Sequence, residues 1–266
     1  MPNSSSAEAD LYVDTAGSGT PVLLLHGFTL DHRQWEPQLA ALTQEYRVSR
    51  LDLRGHGRSA RPPLGYTFAA AASDARRAMD EIGMDERQPG FIVAHSLSGD
   101  AALQAALAEP QALRGVVVVT PAVWGHRWSD DWIALWRAMR AEARAGRLQF
   151  ALARFRSDTL FDGLRGHPEH EAALDAMHSG FAGAQLLSDE KEAGTPTLDR
   201  LHECKVPVLV QSAERDRADF RAAAREILAR VPTAQHMEWP ATGHFPNLEH
   251  PRAFGQTLLE FMHEHA

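Results

Sequence analysis

In FIVAHSLSGD, residues 91–100, three large apolar β-formers run straight into small and polar residues grouped around a serine. Phe91, Ile92 and Val93 suit a strand covered on both faces, because an unbroken apolar run has no side to give to water. A strand that turns sharply into a helix crowds its own backbone, so the residues two before, two after and three after the central one must be small. Around Ser96 these are Ala94, Ser98 and Gly99, which meets the demand although two glycines usual in such a turn are replaced. Centred on Ser98, the flanking residues would be Ser96 and Asp100, and Asp100 fits poorly. The turn would expose the Ser96 hydroxyl and put the Leu97 N–H at a helix N-terminus, where unpaired amides favour negative charge. An ordinary strand-to-helix turn has the same pattern, and a lone serine does little chemistry without a base and an orienting acid.

Working outward, PVLLLH (21–26), YRVSRLD (46–52), LRGVVVVT (113–120), VPVLVQSA (206–213) and AQHMEW (234–239) also read as strands, and LYVDTAGSGTP (11–21) as a strand entering a Gly-rich turn. Helical runs separate them at 67–83, 97–110, 217–231 and 251–265. Gly83 is a C-cap signal, and Pro251 suits a first helical turn. This alternation predicts an α/β fold with a mostly parallel, doubly wound sheet. From about Ala122 to Arg200 the rhythm stops and only helical patterns occur. We therefore expect a core of residues 10–121 and 200–266 interrupted by a helical cap over 122–199. Trp128, Trp132 and Trp136 fall on one helical face, and with Trp124 they are candidates for lining a pocket, or simply for packing onto the main body.

The bulk numbers exclude more than they assign. The 266 residues carry a formal net charge of −8, which argues against nucleic-acid or anionic-membrane partners. With 44% apolar and 23% charged residues the composition is that of an ordinary globular chain. Cys204 is the only cysteine, so an intrachain disulfide is impossible and a reducing compartment is indicated. MPNSSSAEAD lacks the apolar segment of a secretion signal, and residues 1–9 are expected to be a disordered leader on a cytoplasmic protein. His167 and His170 have H-x-x-H spacing, but without a further ligand no metal site is expected. A small-molecule substrate is the expected partner, and a homodimer stays open.

Three more segments supply what Ser96 lacks. LLLHGF (23–28) ends a buried strand in His26-Gly27, and its Phe28 N–H could pair with that of Leu97 to hold an oxyanion. In VLVQSAERDRADF, Asp216 follows a strand directly, where an acid is held at the sheet edge; Glu214 and Asp219 are the alternatives, and helix capping is the plain explanation. In WPATGHFPNLEHP, His244 sits in the loop before the last helix. Each segment alone has an ordinary reading, but serine, acid and histidine in that chain order, each just past a strand, do not share one.

On these residues the chain resembles the α/β-hydrolase superfamily over about residues 10–121 and 200–265, with DLRGHGRS (52–59) as a further matching turn. WEPQLAALTQEYRVSRLDLRGHGRS and PPLGYTF look most like the 3-oxoadipate enol-lactonase and bacterial carboxylesterase group. The resemblance implies an esterase or lactonase using Ser96, His244 and Asp216, the Phe28 and Leu97 amides, and no cofactor. His32 and Phe245 join the tryptophans as pocket candidates. A serine nucleophile speaks against dehalogenase or epoxide-hydrolase chemistry, and HGFTLD against carbon–carbon bond hydrolysis. HGFTLDHRQW also resembles the loop of cofactor-independent dioxygenases acting on quinolone-type substrates, which is the main rival reading. A non-catalytic binding module on the same fold is the other.

Overall fold

One seven-stranded sheet runs in the order β1-β3-β2-β4-β5-β6-β7. Its strands are β1 (Tyr12–Ala16), β2 (Thr20–Leu25), β3 (Tyr46–Asp52), β4 (Gly90–His95), β5 (Leu113–Val119), β6 (Val208–Ala213) and β7 (Ala234–Trp239). Only the edge strand β1 is antiparallel to its neighbour; the remaining pairs are parallel. The computed structural model describes residues 9–266, so residues 1–8 of the expected leader lie outside the described residues. Ala9 does not fit a disordered leader, because it is buried and its carbonyl accepts a hydrogen bond from Arg77.

The helices between the strands are α1 (Glu36–Leu42), α2 (Phe68–Glu81) and α3 (Gly99–Ala108), then α4 (Asp130–Arg144), α5 (Leu148–Arg156), α6 (Pro168–His178), α7 (Ala184–Leu187) and α8 (Thr197–Arg200), and α9 (Ala218–Leu228); α10 (Pro246–Glu249) and α11 (Pro251–Glu264) follow β7. Successive strand side chains point to opposite faces, and here both sets are apolar. Leu23, Leu25, Ile92, Ala94, Val116 and Val118 meet α2, α3 and α9 on one face. Val22, Leu24, Phe91, Val93, Val117 and Val119 meet the side of α1 and α11 on the other. The unbroken apolar runs in the sequence are thus the imprint of a sheet covered twice.

Between β5 and β6 lie α4 to α8. Apolar side chains of this insertion, among them Met139, Phe155, Phe161 and Leu174, form a third cluster with Phe28, Ala122, Phe220 and Phe245. These four partners belong to the segments that follow β2, β5, β6 and β7, so the insertion sits over the carboxyl edge of the sheet, the edge where the loops of a parallel sheet assemble a site.

The 52–59 turn is anchored from below. Arg54 donates to Asp74 of α2 through Nε and Nη2 at 2.5 and 2.7 Å, and through Nη1 to the Gly65 carbonyl. Both partners are buried. Asp74→Ala would leave a buried guanidinium unpaired, and we expect it to lower the unfolding free energy by about 3–5 kcal/mol in urea denaturation. A loss below about 1 kcal/mol would show that water reaches Arg54.

Candidate active site

Ser96 stands at the end of β4 in a tight turn that leads into α3, with φ of +54°, a left-handed conformation that is uncommon for a residue with a side chain. Packing enforces it. Ala94 and Ser98 are fully buried, and a Cβ on Gly99 would lie 2.8 Å from that of Pro121. Ser98, standing where a glycine is usual, donates its hydroxyl to the carbonyls of Leu25 and His95 at 2.9 and 3.0 Å, tying the turn to the end of β2. That use removes Ser98 as a competing nucleophile.

The Ser96 Oγ lies 2.9 Å from Nε2 of His244, whose Nδ1 lies 2.9 Å from both carboxylate oxygens of Asp216. Asp216 is seated just past β6, and its Oδ1 also accepts the Arg217 amide. The alternatives are engaged elsewhere: Glu214 accepts the Ala241 amide, and Asp219 takes the amide and hydroxyl of Ser129, which caps α4. The His244 carbonyl accepts from His95 Nε2 at 2.9 Å and from Thr120 Oγ1 at 3.0 Å, so the loop after β7 is fastened to the ends of β4 and β5. Among the hydrogen bonds of the described residues, the Phe28 and Leu97 amides have no acceptor. Gly27 lets the two segments meet, since a Cβ there would fall 2.5 Å from His95 Nδ1 and 3.5 Å from the Ser96 Cβ.

A family model described as the alpha/beta hydrolase family matches residues 22–257. The chain belongs to this family. RutD of Azorhizobium caulinodans, to which carbamate hydrolysis is provisionally assigned, is 26% identical over 274 aligned positions that cover 99% of both chains. A pimeloyl-[acyl-carrier protein] methyl ester esterase of Nitrosomonas europaea is 26% identical, with 92% of this chain and 97% of the esterase aligned. Among solved structures, Est816, described as an N-acyl homoserine lactone degrading enzyme, superposes with a TM-score of 0.75 at 26% identity, covering 94% of this chain and 96% of its own.

A cavity of about 430 Å³ opens beside Ser96 in this hydrolase. Its apolar wall is built by Phe28, Leu97, Trp128, Trp132, Trp136 and Phe155, and its polar wall includes Arg54, Tyr66, Arg137 and Glu190. Trp128, Trp132 and Trp136 therefore both pack on the body and face the cavity. Three expected pocket residues do not line it. His32 turns away because its ring and amide both donate to Asp52, at 2.8 and 2.7 Å. Trp124 sits where the insertion begins, its amide bound by Asp100, and Phe245 is buried behind the site against Phe161, His95 and His244. Conversely, Phe220, Arg54 and Tyr66 were not among the expected pocket residues. Phe220, in the first turn of α9, packs its ring 4.5 Å from that of His244, and no spacing in the sequence flags it. His167 and His170 stand with the Glu169 carboxylate within 4.8 Å, in an exposed group away from the cavity.

Four histidines around the site are buried and held neutral. Burial pushes His56 down to about 3 and His178 to about 4, lowers His26, and sets His95 well below the usual range, where His244 adds to the effect. In each case the folded value lies below the unfolded one, so the stability is fully present above pH 6.5 and is lost as the pH falls. We expect the unfolding free energy from urea denaturation to drop steadily between pH 6.5 and 4, by up to roughly 1.4 kcal/mol per pH unit for each imidazole protonated only in the unfolded chain. A flat profile there would contradict these buried, neutral rings.

Proposed function

We propose that this hydrolase cleaves a carboxylic ester or lactone of a small, largely apolar or aromatic substrate through an acyl-enzyme on Ser96. The single observation that carries this reading is the continuous hydrogen-bonded row of hydroxyl, imidazole and carboxylate beside an aromatic-walled cavity. His244 Nε2 takes the Ser96 proton as Oγ attacks the carbonyl carbon. Asp216, hydrogen-bonded to Nδ1, fixes the imidazole tautomer and stabilises the imidazolium without taking its proton. The Phe28 and Leu97 amides hold the oxyanion of the tetrahedral intermediate, a type of contact worth roughly 10²–10³ in turnover per donor. His244 then protonates the leaving alkoxide, deprotonates a water for attack on the acyl carbon, and returns a proton to Ser96 as the acid departs. Est816 and the methyl ester esterase, relatives named for lactone and ester cleavage, support this bond class.

Ser96→Ala should cut kcat for p-nitrophenyl acetate by at least about 10³-fold with an unchanged thermal midpoint, and abolish labelling by a fluorophosphonate. Full turnover in that variant would refute the assignment. Each methylene added to the acyl group is worth about 0.8 kcal/mol when buried, so kcat/KM should rise about fourfold per methylene from acetate until the cavity is filled. A flat series across acetate, propionate and butyrate would show that the acyl group does not occupy the apolar wall.

A further inference from the structure

We infer that His178, carried by the helical insertion, is a positioning residue for the oxyanion-holding loop, so that the reaction proposed above depends on the seating of α6. The inference rests on that reading of Phe28. Every hydrogen-bonding group flanking Phe28 is pinned except its own N–H. The Gly27 carbonyl accepts from His26 Nδ1 at 2.8 Å and from the Leu30 amide at 3.3 Å. In a planar peptide the Phe28 N–H must then lie on the opposite edge. The Phe28 carbonyl accepts from the Thr29 hydroxyl at 2.6 Å, and the Thr29 amide donates to His56 Nε2 at 3.2 Å.

Thr29 is where this arrangement is least self-sufficient. Its φ is +68°, a genuine outlier for a β-branched residue, and such a conformation persists only when its surroundings over-determine it. The core supplies His56 on one side. On the other, His178 Nε2 lies 3.1 Å from the Thr29 hydroxyl. That hydroxyl has given its one hydrogen to the Phe28 carbonyl, so it can only accept here, and His178 Nε2 is the donor. The contact comes from the last residue of α6 and is not isolated. Arg33 donates to the Ala176 carbonyl at 2.7 Å, the Ala182 amide donates to the Gly55 carbonyl, and Gly57 Cα would lie 3.2 Å from a Cβ on Gly180. The Phe28 ring itself is packed against Trp136, Phe155 and Phe181 of the insertion, with centroids 4.9 to 5.4 Å away. One face of the loop is thus core and the other is insertion, and His178 is the polar tie across them.

His178→Phe keeps a buried ring without the donor, His178→Gln retains an N–H at the same reach, and Thr29→Val removes the acceptor. With p-nitrophenyl esters, His178→Phe and Thr29→Val should each lower kcat about tenfold or more and change KM less than about twofold, because a misplaced donor is felt chiefly in the transition state. His178→Gln should restore most of kcat, and the double variant should be no worse than either single one. Hydrogen exchange over residues 26–31 should quicken in His178→Phe but not in His178→Gln. An unchanged kcat in both disrupted variants, or a loss that glutamine does not restore, overturns the inference. If the parent and Ser96→Ala hydrolyse the ester alike, it is the acyl-enzyme reading that fails. The exchange measurement then still decides the tie, since equal exchange in the parent and His178→Phe overturns it.

Discussion

The carbonyl oxygen of His244 holds the site together. Three strands deliver their side chains to one edge, but a parallel sheet fixes only the strand ends, and the loops beyond them must be fastened separately. His95, directly before Ser96, and Thr120, directly after β5, both donate to that one oxygen. The imidazole can therefore reach the hydroxyl on one side and the carboxylate on the other without searching, and little conformational entropy remains to be lost when a substrate arrives. His95 donates from Nε2 as a neutral ring, since a second proton on its buried, unpartnered Nδ1 would have no acceptor. Its apolar surroundings are as much a part of the arrangement as the bond itself.

The left-handed backbone at Ser96, a cost of order 1–3 kcal/mol, is accepted for aiming a buried hydroxyl into the cavity. The surroundings offset it with close packing: no Cβ at Gly27 or Gly99, a methyl at Ala94, and at Ser98 a hydroxyl that bonds two carbonyls at once. A serine in place of the usual glycine is thus not a weakened version of the turn. It adds a hydrogen-bonded tie between β4 and β2 that glycine lacks.

Much of this was legible in the sequence for a physical reason. A strand covered on both faces must be apolar at every position, so β2, β4 and β5 announced themselves; β3 and β7 carry polar residues as well, yet begin and end where their sequence runs do. The meeting of Ser96, Asp216 and His244 was legible because they lie within a few residues of the ends of β4, β6 and β7, and the end of a parallel strand translates into position at the sheet edge. Helix α1 was not legible as a helix: seven residues entered through a 3₁₀ turn carry too little periodicity. The pocket lining was only half legible. Trp132 and Trp136 keep their spacing because α4 carries both, whereas Trp128 lies ahead of that helix and reaches the cavity packed against Trp132 and Phe220. His32 and Phe245 were misjudged because nearness in the chain to the oxyanion loop or to His244 says nothing about which way a ring turns. Asp52 and Phe161, both remote in sequence, settled those directions.

The strands on either side of the insertion, β5 and β6, are adjacent and hydrogen-bonded to each other. Because the two strands are parallel, the intervening chain leaves β5 at the carboxyl edge of the sheet and must cross back over it to enter β6 at the amino edge. The entropy of closing such an excursion grows only slowly with its length. The roof over the cavity is therefore free to lengthen, shorten or be exchanged at small thermodynamic cost to the scaffold, provided a few ties such as that at Thr29 are re-formed. Substrate preference can drift rapidly in descendants of this chain while bond-breaking competence is inherited intact.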